Sequence, residues 1–195
     1  LLTIICSSCL PSYVRQEEVP SQPSEYISQL FPETELFSSA KLGISFTIPK
    51  GWIVEETDKT IYLARSRADL PWGGDYFLTP TPEPYFELYL APAYLSRTEQ
   101  IRGKARSVQE LAQEIAHSFD VGPVSGRLIG QIETRTVNGA DASTLLIDTG
   151  ALYSYVIVRK LSEDMAIVIN GIGAPNSEAV LIDVSNIIIH SLREQ

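Results

Sequence analysis

Cysteine and histidine often carry nucleophilic, redox or metal chemistry, and this chain has two of each. Cys6-Ser-Ser-Cys9 has the form C-x-x-C. Redox chemistry would need that pair at the start of a helix after a strand, and a zinc site would need a second pair. Neither context exists around it. His117 and His190 both fall on predicted helices, and we interpret them as ordinary helix positions.

Other catalytic signatures are missing from the sequence. No Gly-x-Ser-x-Gly elbow positions a nucleophile, and no Gly-Lys-Ser/Thr loop could hold a phosphate. Gly171-Ile-Gly173 lacks the third glycine of a dinucleotide loop, and we expect it to connect a strand to a helix. Asp141 and Asp148 are interpreted as turn and strand-end residues. The sequence therefore predicts no catalytic residue, no metal site and no cofactor.

Residues 1–9 read as the end of a secretory signal. An apolar stretch is followed by small residues and then by Cys9, which is the order of a signal with a processing site. The order resembles the lipobox of bacterial lipoproteins, although Cys6 stands where that motif usually has Leu. The resemblance implies that Cys9 is the lipid attachment site and the first residue of the mature protein. Because Met and a basic start are missing, we expect residues 1–9 to be a truncated signal. The alternative to a lipoprotein is a plain secreted or anchored protein.

Residues 10–35 differ in composition from the rest of the chain. Pro, Ser, Gln and Glu dominate, and large apolar side chains are few. Such a segment cannot bury enough surface to offset its ordering entropy, so we expect a flexible linker. The alternative for its residues 26–31 is a short helix docked on the domain. A single globular domain is then predicted over residues 36–195.

The charge of the chain excludes one class of partner. Twenty-four acidic residues outnumber 15 basic ones, for a net charge of -9. Proteins that bind nucleic acid neutralise phosphates with clustered Lys and Arg, so nucleic acid is not an expected partner. With no basic run, the folded domain is not expected to adsorb to anionic lipid either. Any attachment to a membrane must come from the N-terminal segment.

The domain opens on a strand with one buried face. Over residues 41–49 the apolar side chains fall on every second position, which is the period of a strand. Pro49 and Gly51 then turn the chain and place Trp52 on the core. The first clear helix begins at Ser107, which forms a Ser-x-x-Glu capping box with Glu110.

The remaining elements predict an antiparallel sheet between helices. Asn138-Gly139 and Thr149-Gly150 are hairpin signals between consecutive strands, which excludes a parallel nucleotide-binding sheet. We expect an α+β fold, an α/β/α sandwich with helices on both faces of a central antiparallel sheet. Strands are predicted at residues 60–64 (pairing with the opening strand), 85–90, 130–136, 142–148, 152–160 and 165–169, and helices at residues 107–119 and from about 176 to 192.

Two stretches carry a resemblance to a known family. The opening Gly-Ile-Ser-Phe-Thr-Ile-Pro-Lys-Gly-Trp and the closing Ile-His-Ser-Leu, together with the order of elements, make residues 41–192 similar to the Mog1/PsbP-like family. The resemblance implies an α/β/α sandwich. Members include lumenal photosystem II subunits, a nuclear-transport factor and bacterial lipoproteins, and the lipobox makes the bacterial lipoprotein branch the best match. It brings no catalytic residue signature to this chain.

These observations together predict a membrane-tethered, extracytoplasmic and non-catalytic binding or assembly module. We expect it in a bacterial cell envelope, lipid-anchored and facing outward from the cytoplasm, with another extracytoplasmic protein as its partner. Two alternatives stay open: an enzyme with an unrecognised site, and a carrier of a small apolar ligand. A carrier would have a deep pocket between sheet and helix.

The partner is expected to bind the segment of residues 71–85. Trp72, Tyr76 and Tyr85 sit among prolines and glycines there, and large aromatics on a stiff loop are typical of binding hot spots. The alternative is that these aromatics fold back as a lid on the sandwich. The polar rim of the binding surface is expected to come from Arg65, Arg67 and Asp69.

Overall fold

The structure is a computed structural model, and it describes residues 31–71, 83–93, 105–121 and 125–195. These residues form ten strands and two α-helices, with 3-10 helices at Arg67–Asp69 and Pro175–Ser177. The strands are β1 (Thr34–Ser39), β2 (Ile44–Pro49), β3 (Ile53–Glu56), β4 (Thr60–Ala64), β5 (Tyr85–Pro92), β6 (Arg127–Val137), β7 (Ala140–Asp148), β8 (Tyr153–Lys160), β9 (Met165–Gly173) and β10 (Arg193–Glu194). The helices are α1 (Val108–Val121) and α2 (Glu178–Ser191).

A seven-stranded sheet forms the centre of the fold. Its strand order is β3-β4-β5-β9-β8-β7-β6, and every neighbouring pair is antiparallel. The β6–β7 hairpin turns at Asn138 and Gly139, whose φ angles are 51° and 77°. Positive φ at both central residues is what a type I′ turn requires and what Asn-Gly supplies, so the predicted hairpin is confirmed.

Both faces of this sheet are covered. On one face α1 packs on the apolar side chains of β7, β8 and β9, and on the other face α2 packs on β2, β8 and β9. Successive residues of a strand point to opposite faces, and β8 shows this directly: Val156 and Val158 face α1, whereas Ile157 joins the α2 side. The predicted α+β sandwich with helices on both faces is confirmed.

The opening strand lies outside the central sheet. β2 pairs with β1 and with β10, and these three strands form a separate small sheet. Residues 60–64 were expected to pair with β2; that prediction is wrong, because β4 pairs with β3 and β5 instead. β2 still contributes to the core, since Ile44, Phe46 and Ile48 are buried with the apolar side of α2.

Local signals set the helix starts. The amide of Ser107 donates to Glu110 Oε2 at 2.7 Å, and the amide of Glu110 donates to Ser107 Oγ at 3.1 Å, so the predicted capping box is formed. At α2 the predicted start near Asn176 or Ser177 is close to the observed one. Ser177 makes no side-chain cap hydrogen bond there, because it ends a 3-10 turn that leads into Glu178.

Gly171 serves packing rather than a loop. It lies within β9, not in the strand-to-helix connection expected from the sequence, and pairs with Phe86 across the sheet. A Cβ at Gly171 would lie 2.6 Å from the Phe86 ring and 3.3 Å from Leu181 on α2. Because Gly171 has no side chain, the Phe86 ring occupies the space where one would lie. This lets α2 approach the sheet closely.

Aromatic packing extends the domain toward the N-terminus. Phe31 is buried, and its ring meets Trp52 edge-on at 6.1 Å between centroids; Trp52 in turn lies 5.6 Å from Phe86. The expected burial of Trp52 is confirmed. The expected boundary at residue 36 differs from the structure, because β1 begins at Thr34 and Phe31 already belongs to the core.

We predict that Phe31→Ala lowers the free energy of unfolding by about 3 kcal/mol, since a buried aromatic is lost and a cavity is left against Trp52. Leu36→Ala is the matched control, because Leu36 is 71% exposed on β1. The control should change stability by less than about 0.5 kcal/mol. Urea denaturation of the full chain measures both. If both substitutions changed the free energy of unfolding by equally small amounts, Phe31 would belong to the linker and not to the core.

Candidate functional site

Of the three predicted partner-binding residues, the structure describes Tyr85. Trp72 and Tyr76 lie outside the described residues, as does Cys9. Tyr85 begins β5 and is 2% exposed, packed with Ala64 and Leu70. A side chain buried to this degree belongs to the core, so its assignment to a binding surface is corrected. The sequence predicted a strand from residue 85, but it did not show that the Tyr85 side chain faces the core.

The two ends of the segment of residues 72–82 are held by the sheet. Leu70 on the entering side and Tyr85 on the leaving side are buried in one cluster. Arg65 and Glu83 form an ion pair at 3.4 Å between the two ends. The segment therefore starts and finishes at a fixed place beside β4 and β5.

The residues expected to form a polar rim make contacts within the chain. Arg67 pairs with Glu55 on β3 at 2.8 Å, and Asp69 accepts from the Ser66 hydroxyl at 2.6 Å. Arg67 is highly exposed, and exposed ion pairs contribute only about 0–1 kcal/mol each. Such groups can exchange partners at little cost, so the rim remains available to a ligand.

A second polar group lies on the α1 side of the central sheet. Burial raises the pKa of the Glu87 carboxyl, while a hydrogen bond with Asn170 lowers it. Ser154 donates to the same Asn170 side chain at 2.6 Å. Burial, and secondarily the charge of Glu87, raise the pKa of Tyr89 to about 12. These groups are neighbours across β5, β9 and β8. Glu87, Asn170 and Ser154 provide hydrogen-bond partners for one another, as polar side chains in a protein interior normally do.

A small cavity lies between β5 and α1. Its volume is about 190 Å³, and Tyr89, Leu111, Ile115 and Val168 line it. Arg106 closes one side, because its guanidinium donates to the carbonyl of Pro92 at 2.7 Å and pairs with Glu114. Pockets for drug-sized ligands occupy about 300–1,000 Å³. This cavity does not provide the deep pocket that the carrier alternative requires.

Two arginines share a row on the α2 side of the sheet. Arg135 on β6 pairs with Ala142 on β7, and Ala142 pairs with Arg159 on β8. The side chain between the two arginines is therefore a single methyl group. Arg159 is 8% exposed, which is unusual for a charged residue that forms no ion pair among the described residues.

His190 completes what we call the basic cluster: Arg135, Arg159 and His190. Burial lowers the pKa of His190 below its usual 6.5, and the charges of Arg135 and Arg159 lower it further. Arg135 donates to Asn186 Oδ1 on α2 at 2.9 Å. The cluster thus joins β6, β8 and the last turn of α2, at the end where the negative pole of the helix dipole favours cations.

The basic cluster was missed at the sequence level. His190 was interpreted as an ordinary helix position, and neither arginine was singled out. One signal existed: Arg159 has the same strand phase as Ile157 and Tyr155, so it must point to the face that α2 covers. Recognising the site also required the order of the strands, because Arg135 and Arg159 are far apart in the sequence.

Metal ligands and membrane-spanning helices are both missing from the described ranges. No group of three or more His, Cys, Asp or Glu side chains there could hold a metal ion. No helix in the same part of the chain is long and apolar enough to span a membrane. His117 is exposed on α1 and His190 lies on α2, so the central sheet separates the two histidines.

Comparison with known proteins bears on the fold. No family model and no curated protein matches this chain. Cyanobacterial PsbP (CyanoP) from Synechocystis sp. PCC 6803 superimposes with a TM-score of 0.54 at 13% identity, over 83% of this chain and 92% of that protein. This chain has the PsbP-like fold.

A second PsbP-like relative in the comparison is less similar in structure. LpqN of Mycobacterium tuberculosis, described as involved in cell envelope biogenesis, aligns with a TM-score of 0.46 at 14% identity, over 82% of this chain and 89% of that protein. The assignment of the PsbP-like fold rests on the cyanobacterial structure.

We predict that His190 makes the domain less stable in mild acid. Its pKa is lower folded than unfolded, so the unfolded chain binds more protons, and stability falls as the pH drops below about 6.5. His190→Asn should reduce the loss in free energy of unfolding between about pH 7.5 and pH 5.5. Comparison with the wild type cancels the contribution of Asp183, a buried carboxyl with a raised pKa on the same helix.

His117→Asn is the control for this measurement, since His117 is the other of the two histidines in the chain and is exposed. Denaturant titrations at each pH provide the free energies. An identical acid loss in His190→Asn and the wild type would contradict the placement of His190 beside the two arginines.

Proposed function

We propose that this chain is a non-catalytic binding or assembly module of a bacterial cell envelope, held to a membrane by a lipid on Cys9. The observation that carries the proposal is the PsbP-like fold of the described residues, behind an N-terminal segment with the order of a lipoprotein signal. The resemblance to the bacterial lipoprotein branch supports the outward-facing location.

The tether follows from the order of the segments. Residues 1–9 end in a cysteine after small residues, and the Pro- and Ser-rich stretch lies between that cysteine and Phe31, the first described core residue. A lipidated Cys9 would need no further anchor if it carries more than one acyl chain, because two chains hold a protein stably. The stretch up to Phe31 would give the domain reach from the membrane surface.

The partner surface is proposed at the segment of residues 72–82. Its ends are fixed by the buried side chains of Leu70 and Tyr85 and by the Arg65–Glu83 ion pair. Trp72 and Tyr76 are aromatics that supply a large contact area at a small cost in conformational entropy. The 3-10 helix that carries Arg67 and Asp69 lies beside the start of this segment and would form the polar rim.

Absence of catalysis is part of the proposal, and the positions of the polar groups support it. A hydrolase requires a nucleophile, a base and an orienting acid in contact. His117 is on α1 and His190 is on α2, on opposite sides of the sheet. The buried Glu87 is hydrogen-bonded to Asn170, which in turn accepts from Ser154. Neither the two separated histidines nor the Glu87–Asn170–Ser154 group activates a nucleophile.

We predict that Cys9 is the N-terminal residue of the mature protein and carries lipid. Mass spectrometry of the protein from the membrane fraction of its native host measures this. The expected result is an acylated peptide that begins at Cys9, and Cys9→Ser should move the protein out of the membrane fraction. An unmodified peptide that spans Ser8 and Cys9 would contradict the anchor.

We predict that Trp72→Ser and Tyr76→Ser each abolish partner capture while the melting temperature changes by less than about 2 °C, as for surface substitutions. Affinity isolation of the tagged, full chain from native membranes measures capture. Leu36→Ser is the control, because it removes an exposed apolar side chain from β1. If both aromatic variants melt early, the segment is a structural lid and this surface is wrong.

A further inference from the structure

The basic cluster contains positive charge that no ion pair among the described residues offsets, although the charge of Glu194 acts favourably on Arg159. Among the described residues, no carboxylate forms an ion pair with Arg135 or Arg159. The Nε atoms of both guanidinium groups are buried and have no hydrogen-bond partner. A buried guanidinium N–H without an acceptor is disfavoured, because the protein does not replace the hydration that it loses. The arrangement is therefore incomplete without another acceptor.

The end of α2 does not supply that acceptor. The hydroxyl of Ser191 donates to the carbonyls of Ile187 and Ile188, and Asn138 donates to the carbonyl of His190 at 2.7 Å. Arg193 donates to the next carbonyl, that of Leu192. The helix dipole favours nearby cations, but these four carbonyls already have donors from other side chains.

We propose that the basic cluster is a binding site for a tetrahedral oxyanion, either inorganic phosphate or the phosphate group of a larger ligand. Arg135, Arg159 and His190 come from β6, β8 and α2, and the small residue Ala142 lies between the two arginines in the row. Donors that converge from three elements suit an anion with oxygens in several directions. A planar carboxylate is normally met by one guanidinium fork.

Access to the cluster is from the edge near the C-terminal end of α2. His190 is half-buried there, and Arg193 and Glu194 beside it are exposed. The charge of Glu194 acts favourably on Arg159, and the charge of Arg193 acts unfavourably on it. A bound anion would compete with the exposed Glu194, and it would be assisted by Arg193.

Binding is expected to strengthen as the pH falls from neutral. The charged groups around His190 are Arg135 and Arg159 from the sheet, Arg193 and Glu194 after the helix, and Asp183 on its own helix. A bound anion offsets the repulsion from the two arginines, so it favours the protonated imidazole. Proton uptake and anion binding then support each other by linkage.

Isothermal titration calorimetry of the full chain with inorganic phosphate, at constant ionic strength set by chloride, tests the site. We expect saturable binding in the wild type and a dissociation constant raised about tenfold or more in Arg159→Met and in Arg135→Met, since each removes charged hydrogen bonds. Arg159→Lys keeps the charge without the fork and should give an intermediate loss. It also covers the case in which Arg159→Met fails to fold.

Lys160→Met is the matched control. Lys160 is the next residue of β8, is exposed, and has the opposite strand phase, so this change removes the same charge from the other face. It should alter phosphate affinity by less than about twofold, as expected for a distant surface charge under screening. Equal weakening in Lys160→Met and Arg159→Met, or no saturable phosphate binding in the wild type, would overturn the proposal.

Two further arms identify the ligand. Acetate should bind at least about tenfold more weakly than phosphate, because one planar carboxylate cannot engage all three donors. Acetate binding as tight as phosphate would overturn the assignment to a tetrahedral anion. Vesicles of phosphatidylglycerol, compared with vesicles of phosphatidylcholine, distinguish a lipid phosphate from a soluble one. Binding to phosphatidylglycerol that is lost in Arg159→Met assigns the site to an anionic lipid phosphate. Binding of free phosphate without binding to these vesicles assigns it to a soluble phosphate.

Discussion

The fold depends on two strands that are buried on both faces. In β8 and β9, Val156 and Val168 face α1, whereas Ile157 and Ile169 face α2. Apolar strands of this kind cannot lie at the edge of a sheet, and each face requires its own cover. The structure meets that requirement with one helix on each side, and with β3, β4 and β5 on one flank and β6 and β7 on the other. The close contact of Phe86 with Gly171 then sets how near α2 can approach.

The same constraint explains the buried charge. Arg159 occupies an inward position near the end of β8, where an apolar side chain would continue the pattern of Ile157. A charge in such a position costs stability, and replacement of buried ionic groups by apolar ones is often neutral or stabilising. Arg135 occupies the equivalent row position on β6, with Ala142 between them. Two arginines in one row, beside a half-buried histidine, are the observations on which the proposed anion site rests.

Local features of the structure could be predicted from the sequence, and non-local ones could not. The Ser107–Glu110 capping box and the Asn138-Gly139 turn depend on residues close in the chain, and both form as expected. The predicted pairing partner of β2 was wrong, because the alternating pattern that identifies a strand does not specify which strand pairs with it. Tyr85 was assigned to a surface although it begins a predicted strand, because the pattern does not show which neighbours cover its side chain. The basic cluster has no sequence motif, since the order of β6, β7 and β8 alone brings its arginines into one row.

The most direct test of the anion site is an NMR titration of the His190 imidazole in the full chain, with and without sulfate, whose charge is constant over the range. Without sulfate, the pKa of His190 should lie below its usual value of 6.5, because burial and the two arginines disfavour the charged form. Saturating sulfate should raise this pKa in the wild type and leave it unchanged in Arg159→Met. A pKa that sulfate does not move in the wild type would contradict the account.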